Sequence, residues 1–189
     1  MKGKLFIITG PSGVGKDTVI EGLAKTGLNF AWIITTTTRA MRPEENDGHP
    51  YYFVTREKFE EMIRNNKLFE HADVYGNYYG GTFEEVDTKL AENKIVFLKV
   101  DPAGMYTVKR ALPEVFTIFI APPSFEVLKK RLINRGTDSP EAVEKRLAQV
   151  QKEMKMSQDF DAVVINEEGK LEETIEKIKT IIESQISNS

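Results

Sequence analysis

The chain has 189 residues, a length typical of one domain, and it can bury roughly 70% of its unfolded surface around a single core. Its 40% hydrophobic and 29% charged residues exclude disordered, collagen-like and coiled-coil proteins, and a formal net charge of −3 gives no bulk attraction to duplex nucleic acid or an anionic membrane. Because cysteine is absent, disulfide frameworks, thiol nucleophiles and thiolate metal sites are excluded, and we expect a cytoplasmic protein.

The first apolar run, residues 5–9, follows two lysines and ends at Gly10-Pro11. It is too short for the core of a signal peptide or for a bilayer span, so it predicts a buried strand. Other short runs rich in β-branched and aromatic residues predict further strands at 32–36, 95–100, 115–120 and 162–165. Most of these runs are continuously apolar, as is typical of strands covered on both faces of a parallel sheet.

A glycine-rich loop follows the first strand and opens a predicted helix: Gly10-Pro11-Ser12-Gly13-Val14-Gly15-Lys16. Backbone N–H groups in such a loop turn inward around an oligophosphate, and the helix N-terminus adds partial positive charge. Lys16 can reach the β and γ oxygens. This loop is the strongest functional signal in the chain.

The residue after the loop lysine is usually Ser or Thr, whose hydroxyl binds Mg²⁺, but here it is Asp17, with Thr18 behind it. Asp17 can approach the metal or its waters, or it can be a favourable charge in the first turn of a helix. The sequence leaves both interpretations open.

From residue 35 to 79 the sequence is polar, aromatic and turn-rich, with one short helix predicted at 56–66. This segment indicates an inserted lobe of small strands. Within it, Arg39, Arg42 and Tyr51 lie close enough in sequence to clamp one phosphate monoester, because guanidinium forks match phosphate bidentately. Solvated surface arginines are the alternative at this point.

Asp101 follows the predicted strand 95–100, and the carboxyl ends of strands in an open α/β sheet face the ligand crevice. A carboxylate there can hold the water shell of magnesium beside a triphosphate, or it can be a turn residue at the strand end.

Helical patterns fill the last third of the chain. Ser124 caps a predicted helix, Ser139-Pro140-Glu141 opens another, and Leu171 begins the last one. The alternation of strands and helices predicts an α/β fold with an open parallel sheet and helices on both faces.

Several further segments follow the glycine loop in a fixed order: TTTTRAMRPEENDGHPYYF, FEHADVYGNYYGG and IFIAPPSFEVLKKRLINRGTD. With them the chain closely resembles the guanylate kinase family over essentially its whole length. The resemblance implies Mg²⁺-dependent transfer of a phosphoryl group from ATP to GMP, a step of purine nucleotide metabolism. It also implies one P-loop domain of 1–189, with a core (1–34, 94–124 and 157–189), a nucleoside monophosphate-binding lobe (35–93) and a helical lid (125–156).

The resemblance assigns the GMP site residue by residue. Its members would be Thr35, Arg39, Arg42, Tyr51, Glu70, Tyr79, Gly81 and Asp101. Glu70 would read the guanine with help from the hydroxyl of Thr35. The chemistry is sensible, because guanine presents N–H donors to a carboxylate whereas adenine would offer an acceptor and leave the charge unpaired.

The resemblance also assigns the ATP side. Residues 10–18 would hold the phosphates and Asn166 the adenine, while Asp17, Thr18 and Asp101 would hold Mg²⁺ mostly through water. Lid arginines would neutralise charge on the transferred group. The implied catalytic residues are Lys16, Arg39, Arg131, Arg135 and Arg146.

The chain departs from the family pattern inside the monophosphate site. Gly81 replaces a residue that commonly carries a hydroxyl, and Lys99 stands where an acidic residue is usual. Lys99 can weaken contacts with the guanosine, or it can pair with Asp17 or Asp101. These departures keep a related kinase, such as a ribose bisphosphate phosphokinase, as one alternative, and an inactive guanylate-kinase-like protein-binding module as another.

Overall fold

The computed structural model describes residues 3–134 and 140–187, without the side chains of 134 and 140–142. The elements, in chain order, are β1 (Lys4–Thr9), α1 (Lys16–Lys25), β2 (Ala31–Trp32), β3 (Thr36–Thr37), β4 (Tyr52–Phe53), α2 (Arg56–Arg64), β5 (Leu68–Val74), β6 (Asn77–Thr82), α3 (Phe83–Glu92), β7 (Ile95–Leu98), α4 (Gly104–Ala111), β8 (Phe116–Ala121), α5 (Phe125–Asn134), α6 (Pro140–Lys155), a 3₁₀ turn (Met156–Asp159), β9 (Ala162–Ile165) and α7 (Leu171–Ser187).

Five parallel strands form the core sheet in the order β2-β7-β1-β8-β9. Side chains of a strand alternate between the two faces, so Phe6 and Ile8 of β1 join one buried cluster and Leu5 and Ile7 join another. Helices α1, α5, α6 and α7 cover the first face, and α3 and α4 cover the second. The predicted parallel sheet with helices on both faces is therefore confirmed.

A second, four-stranded sheet has the order β4-β3-β6-β5. Strand β3 runs parallel to β4, while β6 runs antiparallel to both β3 and β5. Helix α2 packs on this sheet through buried Phe59, whose ring lies 5.4 Å from that of Tyr78. The hydroxyl of Thr55 accepts a hydrogen bond from the Lys58 N–H and caps α2, which ends at Arg64, slightly earlier than predicted.

The predicted strand 32–36 is wrong as a single strand, because the run crosses from one sheet to the other. The Ile33 N–H still bonds to Phe97 of the core sheet. The Ile34 N–H instead donates to the Glu85 carboxylate at 3.2 Å, and the Thr35 carbonyl accepts from the Tyr52 N–H at 3.0 Å. The chain thus leaves the core sheet at Ile34 and enters the second sheet at Thr36.

The remaining predicted strands agree with β1, β8 and β9 within one residue, and β7 ends two residues early at Leu98. The predicted cap of α5 is confirmed, since the Val127 N–H donates to the Ser124 hydroxyl at 3.2 Å. Helix α6 begins at Pro140, and α7 buries one stripe of isoleucines. Within the described ranges, no helix is both long and apolar enough to cross a bilayer.

Candidate active site

The glycine loop joins the buried end of β1 to the first residue of α1, Lys16. Its last glycine, Gly15, has a φ of 93°, a left-handed conformation that side chains resist. Gly15 is also the N-cap of α1, and no side chain among the described residues caps the helix there. The first N–H groups of α1 therefore remain suited to an anion.

The side chains of Asn166 and Arg131 contact this loop from behind. The Asn166 amide donates to the Val14 carbonyl at 2.8 Å, and Arg131 places Nη1 3.5 Å from the same oxygen. Arg131 Nη2 also lies 3.4 Å from the Asn166 carbonyl. The structure thus brings two of the predicted ATP-side residues to the loop. Arg146 is exposed on α6, and Arg135 lies outside the described residues.

Asp17 and Thr18 lie exposed in the first turn of α1. Lys99 Nζ is 3.8 Å from Asp17 Oδ1, which confirms one of the two pairings considered for Lys99. Both side chains are largely exposed, 68% and 78%, so the pair is weak and either group can turn to a ligand. Asp101 instead accepts a 2.6 Å hydrogen bond from the Gly104 N–H, so one carboxylate oxygen shapes the turn into α4.

Magnesium is the metal that the sequence implies, and the oxygen donors at the loop suit it. In the described part of the chain, no group of three or more acidic or histidine side chains could hold a metal. Mg²⁺ does not need such a cage, because it is usually bound by one or two carboxylates together with substrate phosphates and water. Asp17 and Thr18, exposed beside Lys16, supply that kind of donor set.

Arg39 is fixed on the second sheet by several partners. Its Nη2 donates to both oxygens of Glu45 at 2.6 and 2.9 Å, and its Nη1 donates to the Ala40 carbonyl. Its guanidinium carbon lies 5.6 Å from the ring centre of Tyr51 and 5.5 Å from that of Phe53. The Glu45 hydrogen bond, with a smaller contribution from Tyr79, raises the pKa of Arg39 further above its ordinary value.

Tyr51 and Tyr79 complete the predicted clamp, with ring centres 5.6 Å apart in an edge-to-face arrangement. Arg42 lies on the same loop with an exposed side chain, and its N–H donates to Glu45 at 2.9 Å. The structure therefore gathers Arg39, Tyr51 and Tyr79 into one cluster with Arg42 at its rim.

Glu45 is the residue of this cluster that sequence reasoning missed. Its hydrogen bonds to Arg39 and to the Arg42 N–H lower the pKa of the carboxyl, so it is firmly ionised. The signal available in the sequence was an acidic residue in the same short loop as two arginines, since a close pair of cations favours a counter-charge.

Glu70 is half-buried on β5, close to Asp101. Burial raises its pKa, the Gly81 N–H hydrogen bond opposes that rise, and the negative charge of Asp101 adds to it. Thr35 lies in the segment where the chain passes between the sheets, next to Tyr52. A half-buried carboxylate with an acidic neighbour is suited to a ligand that brings N–H donors.

A steric constraint requires glycine at position 81. A Cβ there would lie 2.1 Å from the Phe69 ring, which is 5% exposed and packs edge-to-face on Phe83. Phe69 sits at an irregularity in the β5–β6 register, between Leu68 and Glu70. Gly81 therefore contributes its backbone N–H to Glu70 and has no room for a side chain.

The family model described as Guanylate kinase matches residues 2–185. A guanylate kinase of Lactococcus lactis is 42% identical over 184 residues, which are 97% of this chain and 89% of the relative. A guanylate kinase of Bacillus cereus is 44% identical over 182 residues, covering 96% and 88% of the two chains.

Among solved structures, guanylate kinase from Anaplasma phagocytophilum is 30% identical with a TM-score of 0.66, and the match covers 97% of this chain and 86% of that one. The matched span contains both sheets and every residue of the glycine loop. The resemblance found in the sequence is therefore confirmed.

Proposed function

The chain belongs to the guanylate kinase family, and on this premise we propose that it transfers the γ-phosphoryl group of ATP to GMP, with the residues below in named roles. The observation that carries the proposal is the near-complete match to guanylate kinases. The site adds support, because it combines a phosphate loop on one sheet with an arginine and tyrosine cluster on the other.

On the acceptor side, Arg39, Arg42, Tyr51 and Tyr79 bind the phosphate of GMP. Guanidinium forks supply paired charge-assisted hydrogen bonds, and phenol hydroxyls supply single ones. Glu70 accepts hydrogen bonds from the guanine, with Thr35 and the backbone of Gly81 close to the same edge. Asp101 adds a carboxylate near Glu70.

On the donor side, the backbone of residues 10–15 cradles the phosphates of ATP and Lys16 neutralises their outer oxygens. Asp17 and Thr18, with Asp101, are proposed to hold Mg²⁺ mostly through water. The metal, when bound, screens the negative charge of the phosphates.

No general base is required, because the acceptor is already an ionised phosphate oxygen. Catalysis reduces to in-line positioning and charge neutralisation, to which Lys16, Arg39 and the lid arginines contribute. We assign Arg131, Arg135 and Arg146 to that lid. Closure excludes water, since an exposed γ-phosphate would be hydrolysed instead.

The proposed organisation is one domain over 1–189. Its core comprises 1–34, 94–124 and 157–189, its GMP-binding lobe 35–93 and its lid 125–156. ATP and GMP are the proposed partners, without duplex nucleic acid or membrane, and a cytoplasmic location is proposed, which fractionation of cells would test.

The two alternatives are not favoured by the family match. A ribose bisphosphate phosphokinase does not need a guanine-reading carboxylate, yet Glu70 is half-buried on β5, the strand that pairs with the one carrying Tyr79. An inactive binding module typically has a degraded glycine loop, whereas this loop is intact and followed by Lys16.

A coupled assay for ADP tests the proposed reaction directly. With ATP and Mg²⁺ present, we expect GMP to give a strong signal and AMP, CMP and UMP to give little. Absence of a GMP-dependent signal would contradict the enzyme assignment, and a larger signal with another monophosphate would contradict the acceptor assignment.

The clamp itself is tested with Arg39→Ala. Loss of the Arg39 guanidinium and its charge-assisted hydrogen bonds should raise the KM for GMP about tenfold or more. It should also lower kcat, because the phosphate of GMP is no longer held in line with the donor. The KM for ATP should change little. Arg64→Ala, an exposed arginine at the end of α2, is the matched control. Unchanged GMP kinetics in Arg39→Ala would remove this residue from the clamp.

A further inference from the structure

Asn166 is held by a buried hydrogen-bond network behind the glycine loop. It is 7% exposed, and its Nδ2 donates to the Val14 carbonyl at 2.8 Å. Its Oδ1 accepts from the Thr174 hydroxyl at 3.2 Å, and its backbone N–H donates to Ala121 at 2.8 Å. Thr174 is itself 2% exposed, so the network is shielded from water.

The partner of Asn166 is one particular peptide of the loop, between Val14 and Gly15. In a planar trans peptide, the C=O and the following N–H point in opposite directions. A carbonyl tied to Asn166 therefore turns the Gly15 N–H away from Asn166 and toward the inner side of the loop. Contact is close, because a Cβ on Gly15 would lie 2.9 Å from Asn166 Nδ2.

Because Gly15 has a left-handed φ, the orientation of the Val14–Gly15 peptide depends on a hydrogen-bond partner outside the loop. Glycine has access to alternative φ and ψ values, so the Val14–Gly15 peptide can rotate at small cost unless something fixes it. A rotated peptide would present the Val14 carbonyl oxygen to the phosphates in place of an N–H group, which would repel them.

We infer that Asn166 is a positioning residue of the phosphate loop: by holding the Val14 carbonyl, it keeps the Gly15 N–H aimed at the triphosphate of the donor. This rests on the proposed ATP-binding role of the loop. It differs from the adenine contact that the family resemblance implies for this position, because the side chain is 7% exposed and one of its two amide N–H donors is bonded to the loop backbone.

A ligand without a nucleobase distinguishes a loop-positioning role of Asn166 from an adenine contact. Binding of ATP and of inorganic tripolyphosphate to the full chain would be measured by calorimetry for the wild type and for Asn166→Ala. We expect both affinities to fall by the same factor, about tenfold, with GMP affinity unchanged. Loss of ATP affinity with tripolyphosphate affinity unchanged would identify an adenine contact and overturn the inference, as would wild-type affinity for both.

Controls keep the outcomes distinct. Asn166→Ser keeps a polar group in the pocket but its side chain is one bond shorter and loses the contact with Val14, so it should behave as Asn166→Ala does, even if the alanine variant does not fold. Thr174→Val removes the other end of the network and should weaken both ligands less. Lys16→Ala should weaken both ligands in any case. If the wild type binds neither ligand, the proposed function itself fails.

Discussion

Glu45 is a single carboxylate that ties together both arginines of the acceptor loop. Both of its oxygens accept from Nη2 of Arg39, and one of them also accepts from the Arg42 N–H. The arrangement orients one edge of the Arg39 guanidinium toward Glu45, with its central carbon 5.6 Å from the ring centre of Tyr51. Glu45 thus restricts the rotamers of a long side chain before any phosphate arrives, which reduces the entropy lost on binding.

We expect Glu45→Gln to raise the KM for GMP about tenfold while the KM for ATP stays constant, because the charge that orients Arg39 is lost. Glu44→Gln, an exposed neighbour with the same change of charge, is the matched control. A fall in the KM for GMP would mean that Glu45 competes with the phosphate and does not orient Arg39.

In its proposed role as the residue that binds guanine, Glu70 makes GMP binding depend on pH. Burial raises the pKa of this carboxyl, so it takes up a proton at a higher pH than an ordinary glutamate, whose pKa is about 4.3. A raised folded-state pKa means that protonation favours the folded protein, an effect complete below the unfolded pKa and lost as pH rises through the folded pKa. The proposed contact with guanine requires the ionised form, so GMP affinity should show the opposite trend.

We therefore expect the KM for GMP to rise as pH falls through a midpoint above that of an ordinary glutamate, with the KM for ATP flat over the same interval. Steady-state kinetics across the acid range measure this, with circular dichroism to show that the protein stays folded. Glu70→Gln should give a high KM for GMP without that pH step. A step that persists in this variant would have to come from another group.

At the scale of elements, the core sheet was predictable and the path between the sheets was not. Strands β1 and β8 lie inside the core sheet under helices on both faces, so each appears in the sequence as a short apolar run. Strand β9 is also an apolar run, although it lies at the edge of the sheet with Val163 and Ile165 exposed. Residues 32–36 form one such run too, but they divide between two sheets because Glu85, 51 positions away from Ile34, captures the N–H at the crossing point.

The same distinction holds for the candidate site. The glycine loop and the arginine motif are local in sequence and were found there, whereas the bond from Asn166 to Val14 joins residues 152 positions apart. Local patterns carry no information about which distant side chain satisfies a given carbonyl. The steric need for glycine at position 81 is likewise set by the ring of Phe69 across the strand pair.

Glu85 of α3 connects the two sheets through hydrogen bonds, so its replacement should lower the stability of the protein. It is 7% exposed, accepts from the Ile34 N–H and from the Tyr52 hydroxyl, each at 3.2 Å, and lies in the first turn of α3. Glu85→Ala should lower the free energy of unfolding by about 1–3 kcal/mol, because a buried N–H and a hydroxyl lose their acceptor.

Urea unfolding of Glu85→Ala measures this change, with Glu84→Ala as control. Glu84 is exposed in the same helical turn, so its replacement removes a similar charge near the helix N-terminus and leaves the bonds from Ile34 and Tyr52 to Glu85 in place. Equal midpoints for the two variants would show that the Ile34 and Tyr52 contacts contribute nothing to stability.

At the scale of the whole molecule, the two proposed anion sites lie on different sheets. The glycine loop, Lys99 and Asn166 follow β1, β7 and β9 at the carboxyl edge of the core sheet. In the second sheet, Glu70 lies on β5, and Arg39 and Tyr51 lie just outside β3 and β4. Phosphoryl transfer needs the two anions face to face, yet each site is built from its own local contacts. Binding at one site should therefore be separable from binding at the other.

Thermal and chemical denaturation test that separation. A ligand at about a hundred times its dissociation constant adds about 2.7 kcal/mol to the unfolding free energy. We expect GMP alone and an ATP analogue alone each to stabilise the wild type by that amount. Arg39→Ala should lose the response to GMP and keep the response to the analogue, and Lys16→Ala should do the reverse. Each substitution leaves the other sheet intact, so a variant that lost both responses would show that the two sites form one coupled pocket. A wild type that neither ligand stabilised would instead behave as a protein-binding module.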